Sequence, residues 1–128
     1  MNEKVKYWLE LSDYDLDTAE AMLQSKRYLY VGFMCHQTIE KILKAYFIDR
    51  NNQSAPYSHS LSFIAKKGSF LSIFNEEQLD FIDQIEPLNI EARYPSYKER
   101  LLKSLTEAKC RTLIDETKKL QLWIKQKL

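Results

Sequence analysis

The chain has 128 residues, one domain's worth, and a chain of that length buries roughly two thirds of the surface its unfolded form exposes. Apolar residues make up 45% and aromatics 12%, which excludes a disordered chain, and no apolar run approaches the roughly 18 residues that span a bilayer. The net charge of +1 hides an uneven distribution: residues 1–97 carry 10 Lys/Arg against 14 Asp/Glu, whereas residues 98–128 carry 9 against 4.

Only two glycines and three prolines interrupt the chain, which favours long helices over short strands joined by tight turns. The first residues, Met1-Asn2-Glu3-Lys4, lead into an amphipathic pattern without a signal-peptide core. Cys35 and Cys110 have no CxxC spacing and sit in helical patterns, so reduced core thiols in the cytoplasm are expected.

Val5, Trp8, Leu9, Leu16, Ala19, Met22 and Leu23 recur at helical spacing and predict a first helix over about 3–24. Ser12 interrupts its stripe, and Ser25-Lys26-Arg27 ends it. The second helix, about 28–50, carries Tyr28, Val31, Cys35, Ile39, Ile42, Leu43 and Tyr46 on one stripe. Phe33, Met34 and Phe47 widen that stripe, which predicts burial on more than one side; being broader than a monomeric surface helix needs, it also adds a little to the expectation of a dimer. Asn51 to Pro56 reads as a loop. Ser58 to Phe70 reads as a short helix closed by Gly68, and Asn75 with Gln78 as a capping box for a helix carrying Leu79, Ile82 and Ile85. Pro87 ends or kinks that helix, and 90–93 adds a turn before Tyr94-Pro95. The last helix starts near Ser104, where Ser-Leu-Thr-Glu fits a capping box, and carries Cys110, Leu113, Leu120 and Ile124. An all-α, up-and-down four-helix bundle with an additional short helix, formed as a single domain over 1–128, is the simplest architecture.

Three stretches have a family resemblance. They are Ser12-Asp13-Tyr14-Asp15-Leu16-Asp17-Thr18-Ala19; Cys35-His36-Gln37-Thr38-Ile39-Glu40-Lys41-Ile42-Leu43-Lys44-Ala45; and His59-Ser60-Leu61, followed later by Glu91-Ala92-Arg93-Tyr94-Pro95. In that order they resemble the HEPN domain family, a helical domain of higher eukaryotes and prokaryotes first described as nucleotide-binding. The resemblance implies a four-helix core with a short extra helix, usually a homodimer. Many members stand beside a minimal nucleotidyltransferase in toxin–antitoxin pairs, and others are RNA-cutting toxins or defence ribonucleases. The cutting members carry Arg, four to six residues, then His near the start of the last helix. Here Arg93 is followed at those positions by Lys98, Glu99 and Arg100. RNA cleavage through a 2′-hydroxyl needs a group titrating near neutrality, so the missing histidine demotes the ribonuclease reading.

The candidate ligand-binding residues are Arg93, Tyr94, Tyr97, His59, His36 and Lys44. An arginine fork suits phosphate, and Tyr94 or Tyr97 suits base stacking; alternatively Arg93 pairs with a carboxylate such as Glu91 and Tyr94-Pro95 turns the chain. His36, Glu40 and Lys44 fall at i, i+4 and i+8. They border a nucleotide-sized groove, or they hold a Glu40–Lys44 pair on a wet or dimer-facing surface. His59 is a base or, more simply, a capping or packing residue. The basic last helix touches phosphates or pairs with the acidic first helix. Cys35, His36, His59 and Cys110 lack metal-ligand spacing, and neither a glycine-rich phosphate loop nor a nucleophile elbow is present, so no metal and no cofactor are expected.

The expected function is a non-catalytic, HEPN-like homodimer that binds nucleotide or RNA, or serves as accessory subunit to a nucleotidyltransferase in a toxin–antitoxin-type pair. One alternative is a metal-independent ribonuclease with a non-standard active site using Arg93 with Tyr97 or His59. The other is a purely structural interaction module. None of the three involves a membrane.

Overall fold

The computed structural model describes residues 1–91, 99–100 and 103–128. Its helices are α1 (Glu3–Gln24), α2 (Tyr28–Asn51), α3 (Leu61–Lys67), α4 (Glu76–Ile85), α5 (Leu88–Glu91) and α6 (Glu107–Lys125), with a 3-10 turn at Leu71–Ile73. The all-α fold read from periodicity is the one observed. No helix among the described residues is long and apolar enough to cross a membrane.

Four of these helices begin where a side chain relieves orphan N–H groups. Asn2 accepts from Lys4 N–H, Ser60 from Phe63 N–H, and Asn75 from Gln78 N–H at 2.8 Å while Gln78 returns the bond at 2.9 Å. The last helix departs from expectation. Lys103 and Ser104 are themselves helical, so Ser104 cannot stand at the extended cap position. Thr106 takes it, with φ −73° and ψ 167°, and its hydroxyl accepts from Lys109 N–H.

Three helix ends close on a left-handed residue and none is glycine: Asn52 ends α2 at φ 53°, and the other two share one turn. At the end of α1, Lys26 sits at φ 63°, with Arg27 N–H bonded to Met22 C=O and Lys26 N–H to Leu23 C=O. At the end of α3 Ser69 does the same at φ 60°, with Phe70 N–H on Ala65 C=O. Gly68 precedes it with φ −85°, so its reason is space. A Cβ there would lie 2.5 Å from Phe70 Cε1 and 2.8 Å from Phe47 Cδ2.

The second helix is the axis of the fold. Sixteen of its 24 residues are buried, because α1, α3, α4, α5 and α6 all pack on it. That enclosure buries Phe47 of its broader apolar set, whereas Phe33 and Met34 are only partly covered within one chain. The core runs through Val31, Cys35, Ile39, Ile42 and Leu43 on this helix to Ile64, Phe70, Ile82, Ile85, Leu113, Ile114 and Ile124 around it. Phe70 meets Tyr46 edge-on at 4.8 Å between ring centroids, a favoured quadrupole arrangement.

Candidate functional site

The polar line of α2 is buried, which corrects its placement on a wet or dimer-facing surface. Lys44 Nζ and Glu40 Oε2 do form the expected i, i+4 pair, at 3.2 Å, but their side chains are only 7% and 2% exposed. Charges this deep persist only when their remaining lone pairs and protons find partners. Lys44 Nζ also stands 5.1 Å above the Trp8 ring of α1, a cation–π contact. The other oxygen of Glu40, Oε1, accepts from His59 Nδ1 at 2.9 Å, and His36 Nδ1 lies 4.0 Å from the same oxygen.

A second carboxylate completes the cluster from the opposite side. Glu86 follows α4 and turns back over the start of α3, where its two oxygens accept from Leu61 N–H at 3.0 Å, Ser62 N–H at 3.3 Å and the Ser60 hydroxyl at 3.0 Å. Its Oε2 also lies 3.4 Å from Nε2 of His36. Burial raises the Glu86 carboxyl, but the donated bonds from His36, the two backbone amides and Ser60 outweigh it and hold the group below the usual carboxylate range. Gln37 donates to Nδ1 of His36 at 3.4 Å and to Asn89 Oδ1 at 2.9 Å. The neutral Nε2–H form of His36 therefore satisfies both ring nitrogens without any charge on the ring. Lys41 extends the network to α1, bonding Gln37 Oε1 at 2.7 Å and Asp15 Oδ2 at 3.3 Å. Burial raises the Asp15 carboxyl in spite of that lysine.

Of the six sequence candidates, the network joins three, His36, Lys44 and His59, through Glu40; Arg93, Tyr94 and Tyr97 lie outside the described residues. His36 is fully enclosed and Lys44 nearly so, whereas the His59 side chain is 57% exposed. His59 is not the cap of α3, a role Ser60 holds; it packs on α2 by donating to a buried carboxylate, with Nε2 left to the exposed side of the ring. Glu40, Glu86 and Lys44 are all taken up by partners inside the cluster, so its interior is no cradle for a phosphate.

Sequence reading missed Glu86, Asn89 and Ser60 as members of the site. One signal was available for Glu86. An acid at the C-terminal end of a helix opposes that helix's own dipole, so its reason must lie in another element.

The basic last helix pairs with the acidic first helix. Arg111 grips Glu20 with two bonds at 3.1 and 3.2 Å, Lys118 joins the same carboxylate at 2.7 Å, and Lys125 reaches Asp13 at 2.6 Å. Inside this exposed seam Ser12, the residue that broke the apolar stripe, donates to Thr38 C=O and accepts from Gln121. A separate groove between α4 and α6, lined by Phe81, Leu120 and Trp123 with Glu77, Glu116 and Lys119 at its rim, contains none of the candidates. Among the described residues no group of three or more His, Cys, Asp or Glu is arranged to hold a metal ion. Both cysteines are free and buried.

No curated protein sequence matches the chain. In fold it is similar to the crystal structure of TT1696 from Thermus thermophilus, with a TM-score of 0.84 at 19% identity, covering 99% of this chain and 100% of that one. The family description for the HEPN domain matches residues 5–127, nearly the whole chain. That span takes in all three stretches whose resemblance was noted and the helices that build the buried network, and this chain belongs to the HEPN domain family.

Proposed function

We propose that this chain is a non-catalytic, cytoplasmic HEPN protein that forms a homodimer and binds a nucleotide or RNA, or acts as accessory subunit to a minimal nucleotidyltransferase in a toxin–antitoxin-type pair. What carries this is the internal commitment of the polar groups along α2. Lys44 is held by Glu40, Lys41 by Asp15 and His36 by Glu86. Of the six candidates this leaves the exposed imidazole of His59 and, by its chemistry, Arg93 to meet a phosphate; Tyr94 and Tyr97 follow Arg93 in the sequence, and no histidine follows it at the cutting positions. The dimer draws its support mainly from the family, and Phe33 and Met34, only partly covered within one chain, add a little.

Calorimetric titration with ATP, fluorescence anisotropy with labelled RNA and co-purification with the product of an adjacent nucleotidyltransferase gene test the proposal. Binding in at least one arm, weakened about tenfold or more by Arg93→Ala, is expected for loss of a bidentate phosphate contact. Failure of all three arms removes it. Sedimentation at micromolar concentration tests the dimer, and a monomer there counts against it.

One observation favours a second reading, the metal-independent ribonuclease. A buried carboxylate holding Nδ1 of an exposed imidazole is the arrangement that leaves Nε2 able to take a proton from a 2′-hydroxyl. RNA cleavage lost in both Arg93→Ala and His59→Ala would establish it, and an inactive wild type sinks it.

A further inference from the structure

From residue 50 to residue 75 the chain contains no Asp or Glu, whereas it contains Arg50, Lys66 and Lys67. Within this acid-free stretch α3 buries Leu61, Ile64 and Ala65 and turns its other side to water. Phe63 stands on that outer side, half exposed, and Lys66 and Lys67 follow it at i+3 and i+4, so the three share one face. Just before the helix, Tyr57 is fully exposed and His59 presents the open side of its ring. Neither lysine has an ion-pair partner among the described residues. The two carboxylates bonded to this segment are engaged: Glu40 is 2% exposed and bound to Lys44 and His59, and Glu86, partly exposed, is bound to the backbone of α3 itself. A solitary exposed aromatic needs no explanation. Two of them within seven residues of sequence, with an imidazole between them, two unpaired cations one turn later and no acid over 26 residues, are a group of definite chemistry.

We infer that the strip formed by Tyr57, His59, Phe63, Lys66 and Lys67 binds single-stranded nucleic acid. Unpaired bases stack on the exposed rings of Tyr57 and Phe63, because every base offers a π-face and a duplex hides it. Backbone phosphates pass Lys66 and Lys67, and His59 Nε2 bonds a phosphate or sugar oxygen when protonated, or a base N–H when neutral. The carboxylate of Glu40 fixes the imidazole in place for either bond. This inference rests on the reading that the ligand includes nucleic acid, but it uses a surface apart in sequence from Arg93.

The test is fluorescence anisotropy of the full chain with labelled single strands of about 12 nucleotides, as RNA and as DNA of the same sequence, across a salt series. The proposal expects both strands to bind and an unlabelled duplex to compete poorly. Tyr57→Ser/Phe63→Ser should weaken binding about tenfold or more, the loss typical of a stacked base. Lys66→Gln/Lys67→Gln should lower the slope of log K against log salt by about 1.4, from about 0.7 for each single-strand phosphate contact. All four positions are at the surface, and a matching thermal melt confirms the fold of each variant. Binding that ignores both double variants overturns the inference, as does a duplex that competes as well as a single strand. If Arg93→Ala abolishes binding while the strip variants behave as wild type, the proposed function stands and this strip fails. If Tyr57→Ser/Phe63→Ser instead changes the sedimentation of the chain and leaves nucleic-acid binding intact, the strip is covered by a second copy and the inference is wrong.

Discussion

The Glu86→Gln variant probes the centre of the network with almost no change of shape. In the wild type Oε1 serves Ser60 and Ser62, and Oε2 serves Leu61 and His36. Glutamine keeps one acceptor oxygen and places an NH2 where the other stood, so whichever way it turns, one backbone N–H of α3 faces a donor. Hydrogen bonds to a charged acceptor are worth about 1.5–3 kcal/mol each, and a buried donor left unpaired costs about 1–3 kcal/mol. Because Glu86 retains 29% exposure, water recovers part of this, and a loss of about 2–3 kcal/mol is expected. With an unfolding entropy near 2.1 cal/mol/K for each of 128 residues, that corresponds to a Tm lower by about 7–11 °C. The pH dependence identifies the cause. The folded Glu86 carboxyl lies below its ordinary value of 4.5, so its stabilisation is complete above the unfolded value and fades as pH falls through the folded one. Glutamine does not titrate there. Urea unfolding followed by circular dichroism should therefore show a wild-type advantage that is constant from neutral pH down to about 5.5 and then narrows in acid. A Tm change below about 2 °C, or an advantage that does not narrow in acid, refutes the assigned role.

Gly68→Ala and Ser69→Gly, adjacent in the chain, should act in opposite directions. The first forces a methyl against the rings of Phe70 and Phe47 and should cost about 1–3 kcal/mol, while the second frees a left-handed residue at φ 60° and should gain about 0.5–1 kcal/mol in the same urea assay. Thr117→Val removes a buried hydroxyl that faces the weakly bonding Cys35 thiol and finds no stronger partner among the described residues. The variant should be neutral or up to about 1 kcal/mol more stable, and a larger loss would show the hydroxyl to be well bonded. Burial pushes the Cys35 thiol up to about 12 and the Cys110 thiol up to about 11. Neither should react with a disulfide reagent at pH 8 until the chain unfolds, and rapid labelling of the native protein would contradict their enclosure.

Helix positions were largely legible because each helix carries its own signals. The apolar period, the scarcity of glycine and the Asn75–Gln78 box are local, and local signals survive into the fold. Family membership was legible for a related reason, since the resembling stretches are contiguous. Competing local signals misled. Ser104 and Thr106 are equally good caps, and the choice fell to the second because Ser104 is consumed in a preceding helical turn. Gly68 looked like an ordinary helix stop, yet its small size answers to Phe47, a residue 21 positions earlier.

What the chain alone could not reveal is which polar residues lie inside. The His36, Glu40 and Lys44 spacing guaranteed a shared line on α2, and it was silent on what would cover that line. Its cover comes from Trp8 over Lys44, His59 against Glu40 and Glu86 against His36, the last two separated by 19 and 50 positions in sequence. A carboxylate at a helix end reads as a solvated charge until the bundle closes and supplies α3's amides and an imidazole as donors. Desolvation and its compensation are properties of the packed assembly, because they depend on every neighbour at once and on none in particular. The same enclosure bears out burial of α2 on more than one side, while Phe33 and Met34 stay only partly covered. The matched family was fixed by order along the chain; the buried, neutralised line, and the open imidazole of His59 that it holds in place, came from the closing of α1, α3 and α4 around α2.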